Sequence, residues 1–454
     1  MRILFVASEC RPFSKTGGLA DVASALSGAF AVLGHEVLVS TPRYRGVQPE
    51  RTPSVPGRRF HFVEHEGYFD RAGLYGEDGV DYPDNDRRFA YFARASLDAA
   101  AAQGLAPDVV HLHDWQAALA AFLVRSEGAL PGSSVVYTVH NLAYQGVFPP
   151  ATLTRVGLPA SAFTFRGLEF HGNVSYMKAG LVFADAVTTV SPRYAREIQA
   201  PAFGFGLEGV LRERAAAGEL HGILNGADYT DWSPEVDPNL PQPYTARRLS
   251  PKRLAKAALQ RELGLEVRRD APLLGMVTRL DRQKGVDLVI ELAPDLVELG
   301  VQLAILGNGD PALERRLTRL AARHAGRVGV RIGFVDSLAH LIQGGSDMLL
   351  MPSRWEPCGL NQMYAMRYGT LPVVSAVGGL DDTIEEGRTG FKFDVDAPAG
   401  LADAIRRAVE RYRGDQVTWR RMQRAGMAKD FSWAVSAQEY LRLFATVTGS
   451  PAAP

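Results

Sequence analysis

The sequence predicts an α/β protein of two Rossmann-like, doubly wound domains facing across a deep cleft, with a C-terminal helix returning to the first domain. Three observations predict it. Short apolar, β-type runs alternate with helical stretches in both halves of the chain. Two of these runs lead into turns that combine glycine with a cation: Lys15-Thr16-Gly17-Gly18-Leu19, and Arg279 followed by Lys284-Gly285. Between the halves lies a proline-rich stretch, Ser233-Pro234, Asp237-Pro238, Pro241 and Pro243, which reads as a linker near 235–250.

In the first half, strand Ile3–Val6 precedes the Gly17-Gly18 turn. An apolar stripe of Leu19, Val22, Ala23, Leu26, Phe30 and Leu33 then predicts a helix, with Gly34 as its C-cap and a second strand at Glu36–Ser40. Thr52–Asp86, rich in Pro, Gly and Asp, reads as a hairpin and a mobile loop. Asp108–Leu112, Ser134–Val139, Ala186–Val190 and Leu220–Leu224 follow as parallel strands. The second half repeats the pattern with Leu273–Val277, Val301–Leu306, Val328–Ile332, Met348–Met351 and Leu371–Ser375. Helices are expected at Asp287–Leu299, Pro311–His324 and Ala434–Phe444. This places the first domain at 1–240, the second at 241–430, and the returning helix with a disordered tail at 431–454.

A chain of 454 residues exceeds one core, since domains run to roughly 100–200 residues. The 50 basic and 50 acidic residues cancel, which argues against a nucleic-acid or membrane partner recruited by bulk charge. Two cysteines, Cys10 and Cys358, do not make a disulfide framework. The N-terminus opens into a strand without a signal-peptide pattern, and no eighteen-residue apolar run occurs, so a cytoplasmic protein is expected. Lysines number only seven, yet two of them stand in the glycine turns.

Those turns carry the first candidate chemistry. Ligands bind outside the carboxyl ends of strands in open α/β sheets, and helix N-termini favour anions. Lys15 with Gly18, and Arg279 with Lys284, therefore suggest a phosphorylated ligand; a solvated lysine and a surface ion pair of Arg279 with Asp281 are the plain alternatives. No G-x-x-x-x-G-K-[ST] loop occurs. After Met348–Met351 comes Ser353-Arg354-Trp355-Glu356-Pro357-Cys358-Gly359-Leu360, in which Pro357 reads as the first residue of a helix and Glu356 as a strand-end carboxylate or cap. His113-Asp114-Trp115 and His140-Asn141 close two strands with groups suited to sugar hydroxyls. His111 and His113 are read as lying on opposite strand faces, and Asp84-Asn85-Asp86 as a charged loop, so no metal is expected.

Together these segments, with Thr138-Val139-His140-Asn141-Leu142-Ala143-Tyr144-Gln145-Gly146, Thr188-Thr189-Val190-Ser191-Pro192 and Ile223-Leu224-Asn225-Gly226, run almost from end to end. The chain resembles the bacterial glycogen synthases and plant starch synthases, retaining glucosyltransferases that use ADP-glucose. The resemblance implies a GT-B-type fold, α-1,4-glucan (glycogen) as acceptor and no metal or cofactor. It implies donor-phosphate contacts from Lys15 and Gly18, and a diphosphate pair in Arg279 and Lys284. It makes Glu356 the essential carboxylate near the donor glucose, with His140, Asp114 and Asn225 lining the sugar pocket. Cys358, Gly359 and Leu360 would supply helix-start amides, and Phe334 an aromatic face beside adenine. Asn361 stands where relatives often have threonine. The domains are expected to close on donor binding.

Two other classes remain at this point. A nicotinamide oxidoreductase would share the fold, but the first turn lacks G-x-G-x-x-G and Val39-Ser40-Thr41 offers no ribose-binding acid. A catalytically silent glucan-binding protein would not need Lys15, Arg279, Lys284 and Glu356 together. Among transferases, a phosphorylase or sucrose-type synthase is the nearest alternative.

Overall fold

The computed structural model describes residues 1–395, 397 and 399–450. The chain divides into two units, Met1–Gly226 with Trp433–Pro454, and Ala227–Ser432.

The first unit is built on seven strands: β1 (Arg2–Val6), β2 (Glu36–Pro42), β3 (Arg58–Val63), β4 (Val109–His113), β5 (Ser134–Val139), β6 (Ala186–Thr189) and β7 (Leu220–Gly222). All pair in parallel, in the order β7-β6-β5-β4-β1-β2-β3. Ile3, Leu4, Phe5 and Val6 are all fully buried, because helices cover both faces of a parallel sheet. That is why the inner strands read as unbroken apolar runs. Helix Gly18–Val32 buries Leu19, Val22, Ala23, Leu26 and Phe30. The C-terminal helix Trp433–Thr448 packs into the same core, with Phe444 against Phe30 and Tyr440 against His111. The Gly449–Pro454 tail lies partly outside the described residues.

Thr52–Asp86 departs from expectation. Its Arg58–Val63 segment is a parallel edge strand of the main sheet, and only Gly76–Glu77 and Val80–Asp81 form a hairpin. Asp84-Asn85-Asp86 is the entry to helix Asn85–Ala102, not a free loop. Asp84 pairs with Arg71, and buried Asp86 pairs with Arg155.

The second unit has six parallel strands: β8 (Leu273–Val277), β9 (Gln302–Gly307), β10 (Val328–Ile332), β11 (Met348–Met351), β12 (Leu371–Ser375) and β13 (Phe391–Phe393). Their order is β10-β9-β8-β11-β12-β13. The proline-rich stretch is pinned into this unit. Asp237 accepts hydrogen bonds from Tyr368 at 2.5 Å and pairs with His340 Nδ1 at 2.9 Å, while the Tyr244 hydroxyl donates to the Tyr368 carbonyl at 2.8 Å. Trp232 stacks between His340 and Tyr364.

Both sheets have the doubly wound order, in which the winding reverses beside the first strand. That reversal puts the ends of β1 and β4 side by side in one unit, and the ends of β8 and β11 side by side in the other. Such a point is where ligands bind in open α/β sheets.

Candidate active site

In the second unit, the loops leaving β8 and β11 are fastened together at the reversal. The Gln283 side chain donates to the Trp355 carbonyl at 3.1 Å, and the Arg354 amide donates to the Gln283 carbonyl at 2.8 Å. Arg354 also grips both carboxylate oxygens of Asp287 at 2.8 Å each. Gly285, at φ +67°, lies so close to Pro352 that a β-carbon there would stand 2.0 Å from its carbonyl oxygen. The result is a single rigid wall carrying Lys284 and Glu356. The Lys284 ammonium donates to Glu356 Oε2 at 2.6 Å, and the Ser353 hydroxyl to the same oxygen at 2.9 Å.

The backbone of Glu356 is fixed from behind. The Gly379 amide donates to the Glu356 carbonyl at 3.2 Å, and a β-carbon on Gly378 or Gly379 would stand 1.9 or 2.2 Å from the carbonyls of Glu356 and Cys358. Only a glycine pair admits this approach. The detour moves the helix start: the helix runs over Asn361–Arg367, with Leu360 as N-cap, so Pro357 is not its first residue. Glu356, Cys358 and Gly359 therefore lie in a loop, well past the last residue of β11. Cys358 is buried, and Gly359 sits at φ +72°.

Arg279 is not drawn into the Lys284–Glu356 pair. Its half-exposed guanidinium reaches Gln283 at 3.5 Å and Asp281 at 3.6 Å, long contacts of small energetic weight. It remains available to an anion. Phe334, 73% exposed, stands just past β10 at the same carboxyl edge.

In the first unit, Ser8-Glu9 lie just past the end of β1, β4 ends in His113, and Asp114 opens helix Asp114–Ser126. Asp114 Oδ1 accepts the His140 amide at 2.7 Å, joining the ends of β4 and β5. Asp114 adopts φ +55°, a strained conformation for a non-glycine residue and one that collects at functional sites. Burial pushes its carboxyl up to about 7, held in check by the amides of His140 and Asn141, with the nearby charge of Glu9 adding to the rise. Burial pushes the His140 imidazole down to about 3, so it is neutral at physiological pH. His140 Nε2 meets His113 Nδ1 at 3.0 Å. Asn225, past β7, is buried, and its Oδ1 has no hydrogen-bond partner among the described residues. A buried amide oxygen left open in this way suits a ligand hydroxyl.

The glycine loop sits on the same edge. Lys15 is paired with Asp21 at 2.8 Å, and Arg11 contacts the same carboxylate at 3.2 Å. Gly17 and Gly18 are exposed, and a β-carbon on either would meet nothing within 4 Å. Gly17 has an extended backbone that any residue adopts. Neither glycine is required by packing, and bare backbone at a helix N-terminus is what a phosphate can approach.

The histidine reading needs correction. Strand side chains repeat every two residues, so His111 and His113 share one face; their rings lie 4.1 Å apart. Among the described residues no group of three or more His, Cys, Asp or Glu is arranged to hold a metal ion. Sequence reasoning also passed over Glu9, Ser353 and the Gly378-Gly379 pair. Glu9 carried one signal, a lone acid between the first strand and the glycine turn.

Residues 2–213 match the starch synthase catalytic domain family, and residues 264–424 match the glycosyl transferases group 1 family. A glycogen synthase of Anaeromyxobacter dehalogenans is 50% identical, covering 98% of this chain and 100% of that one. One from Koribacter versatilis is 45% identical over 98% of each. The chain belongs to the glycogen and starch synthase family. It is accordingly a glucosyltransferase by family. The catalytic domain of starch synthase IV from Arabidopsis thaliana, solved with ADP and acarbose bound, superposes with a TM-score of 0.90 at 32% identity, covering 99% of both chains. A sucrose-phosphate synthase from Thermosynechococcus elongatus shares the fold, with a TM-score of 0.67 at 19% identity over 99% of both chains. The first match spans β1 to β6, and the second spans all six strands of the second sheet. Among the described residues, no helix is long and apolar enough to cross a membrane.

Proposed function

We propose that this chain transfers glucose from ADP-glucose to the non-reducing end of an α-1,4-glucan, with retention of configuration, in the cytoplasm and without a resident cofactor. The observation that carries the reading is the Lys284–Glu356 contact of 2.6 Å at the winding reversal of the second sheet, within a chain of this family.

In this reading the bond from glucose C1 to the β-phosphate oxygen breaks, and both electrons leave with ADP. The acceptor O4 bonds to C1 from the same face, and its proton passes to the departing phosphate oxygen. Arg279 and Lys284 stabilise the charge that builds on the diphosphate, the kind of preorganised electrostatic term that dominates many enzymes. Glu356 sets the Lys284 ammonium in place through Oε2, which leaves Oε1 for the donor sugar. Lys15 and the Gly18 amide contact donor phosphate, and the amides of Cys358, Gly359 and Leu360 line the donor subsite. His140, Asp114 and Asn225 take glucose hydroxyls, while Phe334 offers its face to adenine.

The test is nucleotide release from ADP-glucose and UDP-glucose, each with and without glycogen. Glycogen-dependent ADP release supports the reading. Its absence, or nucleotide release that ignores glycogen, refutes it.

A further inference from the structure

Glu9 is 3% exposed, yet among the described residues no lysine or arginine holds its carboxylate. Four donors do. Oε2 accepts the Thr16 amide at 2.5 Å and the Gly17 amide at 3.3 Å. Oε1 accepts the Thr16 hydroxyl at 2.5 Å and the Tyr75 hydroxyl at 2.6 Å, and Tyr75 is tied in turn to Ser8. The carboxylate thus fastens the glycine loop to the end of β1 from beneath. It also lies at the N-terminal end of helix Gly18–Val32, where the helix dipole favours negative charge and the N-cap residue, Gly17, has no side chain to supply a cap.

The two amides Glu9 takes are those immediately before Gly18. A loop with exposed glycines, facing open space at both Gly17 and Gly18, has little else to hold its backbone. We propose that Glu9 is a positioning residue for glucosyl transfer: its buried carboxylate orders the Thr16-Gly17 backbone so that Lys15 and the Gly18 amide are presented to the donor. This rests on the reading above that the glycine loop contacts donor phosphate.

Replacement separates geometry from charge. In Glu9→Gln one amide oxygen still accepts the Thr16 and Gly17 amides, while its NH2 donates to the Thr16 and Tyr75 hydroxyls, which rotate to accept. Glu9→Ala removes the acceptor of the Thr16 and Gly17 amides and of the Thr16 hydroxyl, while the Tyr75 hydroxyl keeps only Ser8. Hydrogen exchange of the Thr16 and Gly17 amides, measured without donor, is expected to quicken at least tenfold in Glu9→Ala and to stay within about threefold of wild type in Glu9→Gln. The KM for ADP-glucose should rise at least tenfold in Glu9→Ala with the KM for glycogen unchanged, and Glu9→Gln should recover most of the loss. Unchanged exchange in Glu9→Ala overturns the proposal. So does an equal loss in both variants, which would assign Glu9 a role through its charge. If Glu9→Ala does not fold, Thr16→Val removes one of the four donors and should quicken Gly17 exchange and raise the donor KM in parallel; no change in either overturns the proposal. Lys15→Ala distinguishes the underlying reading. Normal donor kinetics in Lys15→Ala refute the loop's role in donor binding, whereas impaired kinetics in Lys15→Ala beside normal kinetics in Glu9→Ala refute Glu9 alone.

Discussion

The Lys284 ammonium and the Glu356 carboxylate meet at 2.6 Å, although 72 residues separate them in sequence. They meet because the doubly wound order sets the ends of β8 and β11 side by side, and because glycines at 285, 378 and 379 let the loops approach at backbone distance. Lys284 is thereby held as a fixed positive charge.

Glu356→Gln should fold and be almost inactive. The amide keeps the shape and can still accept from Ser353, but Lys284 loses its counter-charge. A carboxylate serving only as a helix cap would cost about 1 kcal/mol of stability and leave turnover intact. Thermal melting and kcat measured on the same preparation separate the two roles.

Arg279→Ala and Lys284→Ala should each lower kcat by on the order of 2–4 kcal/mol in transition-state stabilisation, with glycogen affinity preserved. Their stabilities should differ. Arg279 is half-exposed and loosely held, so its loss leaves the melting temperature unchanged. Lys284→Ala leaves a buried carboxylate with Ser353 alone and should destabilise by roughly 1–3 kcal/mol. A variant whose only defect is a raised donor KM would contradict the assignment.

Two glycine substitutions should give opposite results. Gly378→Ala places a β-carbon 1.9 Å from the Glu356 carbonyl at φ +43°, so it should unfold or displace the loop and cost several kcal/mol. Gly17→Ala meets nothing within 4 Å and should leave stability within about 1 kcal/mol while weakening donor binding. Denaturant melts and donor KM on both proteins check this contrast.

The Asp114 carboxyl, raised to about 7 by burial, binds a proton more tightly folded than unfolded. Its contribution to stability is fully present below its unfolded value near 3.8 and is lost as pH rises toward about 7. His140, lowered to about 3 by burial, acts with the opposite sign over pH 3 to 6.5, so the wild-type curve mixes both. Asp114→Asn removes only the falling component. Its stability relative to wild type should therefore rise between pH 4 and 7, and urea unfolding at a series of pH values measures that difference. A difference that is flat across this window would contradict the burial-driven shift.

The interior of the fold was legible because parallel strands buried on both faces read as apolar runs. β3 was not, since Arg58-Arg59-Phe60-His61-Phe62-Val63 is an edge strand with alternating polarity amid Pro and Gly. β13 has three residues, too few for a periodic signal. Individual cations and acids stood out at strand ends, but their pairing depends on strand order, which no local pattern encodes. Pro357 misled because the rule for helix starts cannot foresee the detour around Gly378 and Gly379. Glu9 escaped because a single acid says nothing of the four donors the fold brings to it.

Proton NMR of ADP-glucose mixed with a maltooligosaccharide, followed from the first turnover, tests the central claim most directly. The account predicts new α-1,4-linked glucose signals appearing in step with ADP in the wild type and not in Glu356→Gln. A β-linked product, free glucose in place of chain extension, or full activity in Glu356→Gln would contradict it.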